Sequence, residues 1–249
     1  MSQAARAQTQ ELPAELLDSQ KLASITTSEF RDAEPYPWLN PEGVLRPEAF
    51  DLLRANMPSL DVMKPSFGRK RAHGQQPHDR YALEYRPDLE IHPAWHQLIT
   101  ELNGPVYQGF LRRLFNTSQF TLSYHWHYAP RGASVSPHCD AKRKLGSHIF
   151  YFNTEEDWDA SWGGETLVLD DNGKFSRNSA PAFEDFEGAI TANAMGNRSF
   201  LFQRRGNSWH GVKELKCPEG MLRKVFIIVV NGNGPMARLR RLFYKPEGY

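Results

Sequence analysis

The chain has 249 residues, with 30 lysines and arginines against 29 aspartates and glutamates and a formal charge of +1. That balance argues against a general nucleic-acid binder, which carries a marked basic excess, but it leaves room for a local basic patch. The length suits one generous domain. A chain of this size buries roughly three quarters of its unfolded surface, so folding needs neither a disulfide nor a structural metal.

The opening "MSQAARAQTQELPAELL" lacks the apolar core of a secretory signal. Residues 1–10 are polar and small and are predicted to form a disordered tail, with 11–249 as one domain. In "RPEAFDLLRANM", Pro47 sits near a helix start and Phe50, Leu53 and Met57 recur at helical spacing. "KPSFGRKRAHGQQPHDR" is basic, contains Gly and Pro, and is predicted to be a loop. In "PAWHQLITELN", Trp95, Leu98, Ile99 and Leu102 form one apolar stripe. Gly104 and Pro105 break that helix, and "VYQGFLRRLF" resumes with Phe110, Leu111 and Leu114 on one face.

From Phe120 the texture changes. "FTLSYHWHY", "SHIFYFN", "ETLVLD", "RSFLFQ", "SWHGVKEL" and "RKVFIIVVN" are short, rich in β-formers and separated by turn residues. Such a series predicts a sandwich or barrel. The polar stretch 170–197 is long for a turn and is expected to be a functional or mobile loop. The fold class is therefore α+β, with a mainly helical part over 11–119 and a β-rich catalytic half over 120–249.

Cys139 and Cys217, the two cysteines, fit a reduced intracellular setting. No stretch approaches the ~20 apolar residues of a membrane span; the longest apolar run, 225–230, has a strand's length. A soluble cytoplasmic protein is expected, with no membrane partner. The oligomeric state is not legible in the sequence.

"SVSPHCD" places His138 and Asp140 two residues apart, and residues two apart on an extended segment point the same way. Cys139 then points away. "GNSWHGVKEL" supplies His210 near the end of a distant strand. Two imidazoles and a carboxylate on one face of a metal leave open positions and suit Fe(II) that must bind further ligands. His-x-Asp also occurs by chance, so this spacing alone leaves surface or core roles open.

Four ordered blocks narrow the choice: "YAPRGASVSPHCD", "IFYFNTEEDWDASWGGETLVL", "NRSFLFQRRGNSWHGV" and "LRKVFIIVV". Over 124–231 they resemble the 2-oxoglutarate- and Fe(II)-dependent oxygenases, and in particular the prolyl-hydroxylase branch that includes the hypoxia-inducible-factor prolyl hydroxylases. The resemblance implies a double-stranded β-helix, a jelly-roll or cupin-like core with the N-terminal helices packed on its outside. It makes His138, Asp140 and His210 the iron ligands and catalytic centre. It makes Arg223 the partner of the cosubstrate's far carboxylate, a role suited to the guanidinium fork because a buried charge needs a hydrogen-bonded partner. Lys224 competes for that role, but alternation turns it to the opposite face. Val225 stands where the family often has a small or hydroxyl residue.

By the same resemblance Tyr128 and Tyr151 face inward toward the cosubstrate. Ser147 and Ile149 share the face of Tyr151, His148 points outward, and Tyr124 and Trp126 share the face of Tyr128 as substrate-side residues. His125 and His127 then face away. Further substrate-side candidates are Arg204, Arg205, Trp158, Trp162 and the loop 170–197. Lys64, Arg69, Lys70 and Arg71 could meet an anionic substrate, although a charge run is commonly just a solvated loop.

The implied chemistry is hydroxylation of an unactivated C–H bond. It uses Fe(II), 2-oxoglutarate as cosubstrate, O2, and ascorbate as reductant, and Asp140 fills the position that halide takes in related halogenases. The substrate is either a prolyl or related residue of a peptide, or a free amino acid, natural product or other small metabolite. A reading from another class is a cupin-like binding module without redox chemistry.

Overall fold

The computed structural model describes residues 12–234; the expected tail over 1–10 lies outside them. Two short helices come first. Asp18 caps α1 (Ser19–Ser24) by accepting from the Lys21 amide, and a Thr26–Glu29 capping box starts α2 (Thr27–Arg31). Neither was read from the sequence, because helices this short show no apolar period. The strand β1 (Trp38–Leu39) and the helix α3 (Pro47–Ala55) follow.

The basic stretch expected as a loop begins instead as β2 (Lys64–Ser66), which pairs with β3 (Arg80–Glu84). Long-range pairing, not local propensity, makes β2 a strand. The helices α4 (Pro93–Asn103) and α5 (Pro105–Phe115) each open on a proline, whose missing N–H costs nothing at a helix start. Asn116 in the left-handed region (φ 53°) ends the second of them.

Eight strands then follow: β4 (Phe120–Pro130), β5 (Val135–His138), β6 (Lys144–Tyr151), β7 (Thr166–Leu169), β8 (Ala189–Ala192), β9 (Ser199–Gln203), β10 (Trp209–Val212) and β11 (Leu222–Gly232). Among the described residues the eleven strands make two antiparallel sheets, ordered β1-β9-β6-β11-β4-β3-β2 and β5-β10-β7-β8. From β4 onward the chain passes back and forth between the sheets, the winding of a jelly roll. The strand β8 lies inside the stretch expected as a loop. It pairs with β7, but its Ala-Ile-Thr-Ala sequence is mostly exposed, so no buried apolar face announced it.

Alternation sorts the larger sheet into two faces. On one face Trp126 and Phe226 meet Trp95 of α4, with ring centroids 5.1 Å apart in both pairs. Tyr124, Tyr128, Phe150 and Ile228 join that cluster together with Leu98, Leu102 and Leu111. Truncating a buried tryptophan such as Trp95 costs ~3–5 kcal/mol. On the other face Tyr151, Phe200, Phe202 and Val225 pack toward Val168 of the smaller sheet. The space between the sheets is a cavity.

Candidate metal centre and its cavity

The ladder between β5 and β10 pairs His138 directly with His210, so the two imidazoles stand side by side with ring centroids 4.4 Å apart. Each ring is oriented from behind. Nδ1 of His138 donates to the Ser136 carbonyl and Nδ1 of His210 to the Ser208 carbonyl, both at 2.9 Å. A carbonyl only accepts, so each Nδ1 carries the proton and each Nε2 keeps its lone pair for a metal. Asp140 follows the end of β5, with Oδ1 3.9 Å from His138 Nε2. One ligand atom from each of the three residues lies within 4.8 Å of the others, and all three side chains are buried. Two neutral nitrogens and one carboxylate form a set that fits a non-haem Fe(II) site.

Electrostatics keep the three in ligating form. Burial pushes the Asp140 carboxyl up, but Lys144, His210 and His138 together outweigh it and hold the group below its ordinary range. Lys144 Nζ donates to Asp140 Oδ1 at 2.9 Å and Ser147 Oγ to Oδ2 at 3.3 Å. Burial, reinforced by His210, lowers His138 to about 3, and burial lowers His210 as well, so both imidazoles are neutral near neutral pH. Cys139 turns its thiol to the Gly206 carbonyl, 3.5 Å away, and not to the ligands. Tyr36, from the segment before β1, donates its hydroxyl to the Trp209 carbonyl at 2.8 Å and so braces the strand that carries His210.

Arg223 lines the same cavity. It is buried, its Nε donates to the Gly164 carbonyl at 2.6 Å, and its guanidinium lies 5.4 Å from the centre of the Tyr151 ring. Gly164 has φ 107°, which favours glycine, and a Cβ there would stand 3.2 Å from Arg223 Cδ and crowd it. Lys224 faces the other way, its Nζ 3.8 Å from Asp157. On β6, Ser147 and Ile149 line the cavity. The Tyr151 hydroxyl shares a 2.7 Å hydrogen bond with Thr166 of the smaller sheet.

The expected phase of β4 is reversed. Tyr124, Trp126 and Tyr128 lie in the cluster beneath the helices, and the Tyr128 hydroxyl donates to the Pro58 carbonyl at 2.8 Å. His125, His127 and Ala129 face the cavity instead. Tyr128 is thus no cosubstrate contact, and Tyr124 and Trp126 are no substrate contacts. The physical reason is the helical layer: α4 and α5 present a broad apolar surface that bulky rings fill, and a one-residue shift in phase turns every side chain over. The run of Phe120, Leu122, Tyr124, Trp126 and Tyr128 is the more apolar of the strand's two faces, and that signal was available in the sequence.

Arg204 and Arg205 do not line the cavity. Arg204 Nε donates to the Asp140 carbonyl at 3.1 Å, and Arg205 reaches Gln203 at 3.0 Å. Trp158 and Trp162 pack edge to face, centroids 5.4 Å apart, in a cluster with Val212 and Leu215. Lys64, Arg69 and Lys70 are exposed, whereas Arg71 joins the cavity wall. The sequence reading also missed His78, Arg80, Lys144 and Phe202. The His78 ring stands 5.0 Å from His138, and the Phe202 ring 4.5 Å from His210. For Lys144, the spacing of four residues from Asp140 across a tight link was the usable signal.

No family model and no curated protein matches this sequence. Solved structures do match, and they define a class: the chain has the fold of prolyl hydroxylases and related 2-oxoglutarate/Fe(II) oxygenases. A prolyl-4-hydroxylase from Pseudomonas putida superposes with a TM-score of 0.59 at 16% identity, over 84% of this chain and 100% of that one. A prolyl hydroxylase from Trichoplax adhaerens, in complex with a hypoxia-inducible-factor oxygen degradation domain peptide fragment, gives 0.61 at 13% identity, over 91% and 94%. A non-haem alpha-ketoglutarate-dependent carbocyclase from nogalamycin biosynthesis gives 0.57 at 11% identity, over 94% and 97%. No helix of the described residues is long and apolar enough to cross a membrane.

Proposed function

We propose that the protein is a 2-oxoglutarate- and Fe(II)-dependent dioxygenase that hydroxylates an unactivated C–H bond. The observation that carries the reading is the convergence of His138, Asp140 and His210 in the cavity that also holds the buried Arg223. A jelly roll that merely binds sugars or other neutral ligands has no use for that combination.

Iron and 2-oxoglutarate, when bound, would activate O2, which is the oxidant of both the cosubstrate and the C–H bond, and the chain supplies placement. His138 and His210 present Nε2, fixed by their carbonyl partners. Asp140 presents a carboxylate whose rotation Lys144 and Ser147 restrain. Arg223, buried in the cavity wall, would hold the far carboxylate of the cosubstrate with charge-assisted hydrogen bonds. Ile149, Val225, Ile227 and Phe202 line the wall and keep water out. The substrate is a prolyl or related residue, or a small metabolite; the fold serves both, as a peptide-bound hydroxylase and a natural-product carbocyclase among its neighbours illustrate.

The test is slow release of succinate from 2-oxoglutarate by the purified protein given Fe(II) and ascorbate. His138→Ala and Asp140→Ala are each expected to abolish it. Turnover that persists in both variants would refute the ligand assignment.

A further inference from the structure

The inward face of β4 carries an imidazole beside Arg223. The ladder between β4 and β11 pairs Ala129 with Arg223 and His127 with Val225, so Arg223 and His127 are diagonal neighbours on one face of the larger sheet. Such neighbours stand about 7–8 Å apart, within reach of long side chains. Both line the cavity. Along β11 the inward row runs Arg223, Val225, Ile227, Val229. Val229 pairs with Ser147, whose hydroxyl lies 3.3 Å from Asp140 Oδ2. His127 therefore stands one step from Arg223 in the direction of the metal ligands, and a ligand that spans from Arg223 to the metal passes it.

This imidazole has hydrogen-bonding capacity that the chain does not use. Its Nε2 is buried and has no hydrogen-bond partner among the described residues. Burial holds the ring well below its ordinary range, so it is neutral and has one N–H to donate. The other members of its row are engaged or apolar. Tyr151 shares its hydroxyl with Thr166, while Val225 and Ala82 have no polar side-chain atom. Tyr128, the ring expected at the cosubstrate, bonds Pro58 on the opposite face. Arg223 has its Nε on the Gly164 carbonyl, which leaves the terminal nitrogens for a carboxylate. A carboxylate offers about four acceptor sites, more than one guanidinium fork fills. A buried nitrogen without a partner is unfavourable, and an acceptor brought by a ligand removes that penalty.

We propose that His127 is a second cosubstrate contact, whose imidazole donates to the far carboxylate of 2-oxoglutarate beside Arg223. The proposal rests on the oxygenase reading and deepens it, since it assigns the carboxylate end of the site to two residues on adjacent strands. The serving tautomer carries its proton on Nε2, because a carboxylate only accepts. Val225 stands between Tyr151 and His127 in the row, so the carboxylate lies over a small apolar floor with a ring on either side.

The test is a calorimetric titration of Mn(II)-loaded protein with 2-oxoglutarate and with 2-oxopentanoate, which keeps the chelating end and lacks the far carboxylate. His127→Leu should weaken 2-oxoglutarate by about tenfold or more and leave 2-oxopentanoate unchanged. His127→Gln, whose amide nitrogen takes the place of Nε2, should recover most of the loss. His127→Asn, whose amide stops short of that place, should behave as the leucine variant does, and it carries the comparison where leucine perturbs the fold. Unchanged 2-oxoglutarate affinity in the leucine and asparagine variants overturns the proposal. Equal losses for both acids overturn it as well, because they make His127 a structural part of the wall. If Arg223→Gln weakens 2-oxoglutarate and the His127 variants do not, the proposal alone falls. If wild-type protein binds Mn(II) but no 2-oxoglutarate, the oxygenase reading falls with it.

Discussion

Lys144 Nζ lies 2.9 Å from Asp140 Oδ1, and both side chains are nearly sealed from solvent. A divalent cation at the His138–Asp140–His210 site would be a second counter-charge for the same carboxylate. Lys144→Met should therefore destabilise the metal-free protein strongly, by about 3 kcal/mol, since it strands a buried charge. That corresponds to a drop in melting temperature of roughly 6–12 °C. With Mn(II) bound, the drop should shrink to less than half. Thermal denaturation of both proteins, with and without Mn(II), decides the matter; equal drops in the two conditions would place the cation elsewhere.

His148 makes a pH-dependent contribution away from the metal ligands. Its Nδ1 shares a 2.8 Å hydrogen bond with the Tyr107 hydroxyl and its Nε2 a 2.9 Å one with Ser199 Oγ. Burial lowers its pKa from 6.5 to about 3, so the folded protein holds it neutral. The unfolded chain takes up the proton first, so this stability is fully present above 6.5 and is lost as pH falls from there toward 3. Between about pH 7 and about pH 5 the loss from this one group is about 2 kcal/mol. His148→Gln should flatten the fall by that amount. Urea unfolding of chelator-treated protein at the two pH values measures it, and parallel pH profiles for variant and wild type would rule the account out.

How much of this was legible in the sequence depended on the scale of the signal. The helices over 47–55, 93–103 and 105–115 and most of the strands announced themselves through periodicity, because each buries a face large enough to repeat. The ligand set was legible because His138 and Asp140 sit two apart and His210 falls in a block of its own. The strand β8 and the short helices α1 and α2 carried too few buried residues to be seen. The phase of β4 failed for another reason. The more apolar face, Phe120 to Tyr128, was legible, but a single matched tyrosine was allowed to outweigh it and chose the wrong face. Arg80 and His127 could not be found locally at all; they become neighbours of Arg223 only through the register of three strands.

Gly211 follows His210 on β10, where space is short. A Cβ there would stand 2.7 Å from the Val135 carbonyl and 2.9 Å from the Phe183 ring. The ring can swing, but the carbonyl belongs to the strand that ends in His138, so the two strands must part. Gly211→Ala should lower Mn(II) affinity about tenfold or more, since metal sites tolerate only small displacements of their ligands. The fold, held by the larger sheet, should remain. Equilibrium metal titration with circular dichroism as control provides the measurement, and an unchanged dissociation constant in a folded variant would show that β5 and β10 accommodate the methyl group without moving the imidazoles.

Arg223 and Lys224 are adjacent cations that alternation sends to opposite faces of β11. Arg223 lies in the cavity over Tyr151; Lys224 looks outward to Asp157 at 3.8 Å. If the guanidinium holds the cosubstrate, Arg223→Gln should weaken 2-oxoglutarate by tenfold or more, because removing one partner of a buried charge pair costs about 3–5 kcal/mol. Arg223→Lys should recover part of that loss, since charge returns but the fork does not. Lys224→Ala should leave the affinity unchanged, because its ammonium never reaches the cavity. Titrating 2-oxoglutarate into each Mn(II)-loaded variant separates the cases. A loss at Lys224 with none at Arg223 would mean that β11 presents its other face to the ligand, and the inward row of Arg223, Val225, Ile227 and Val229 would have to be assigned anew.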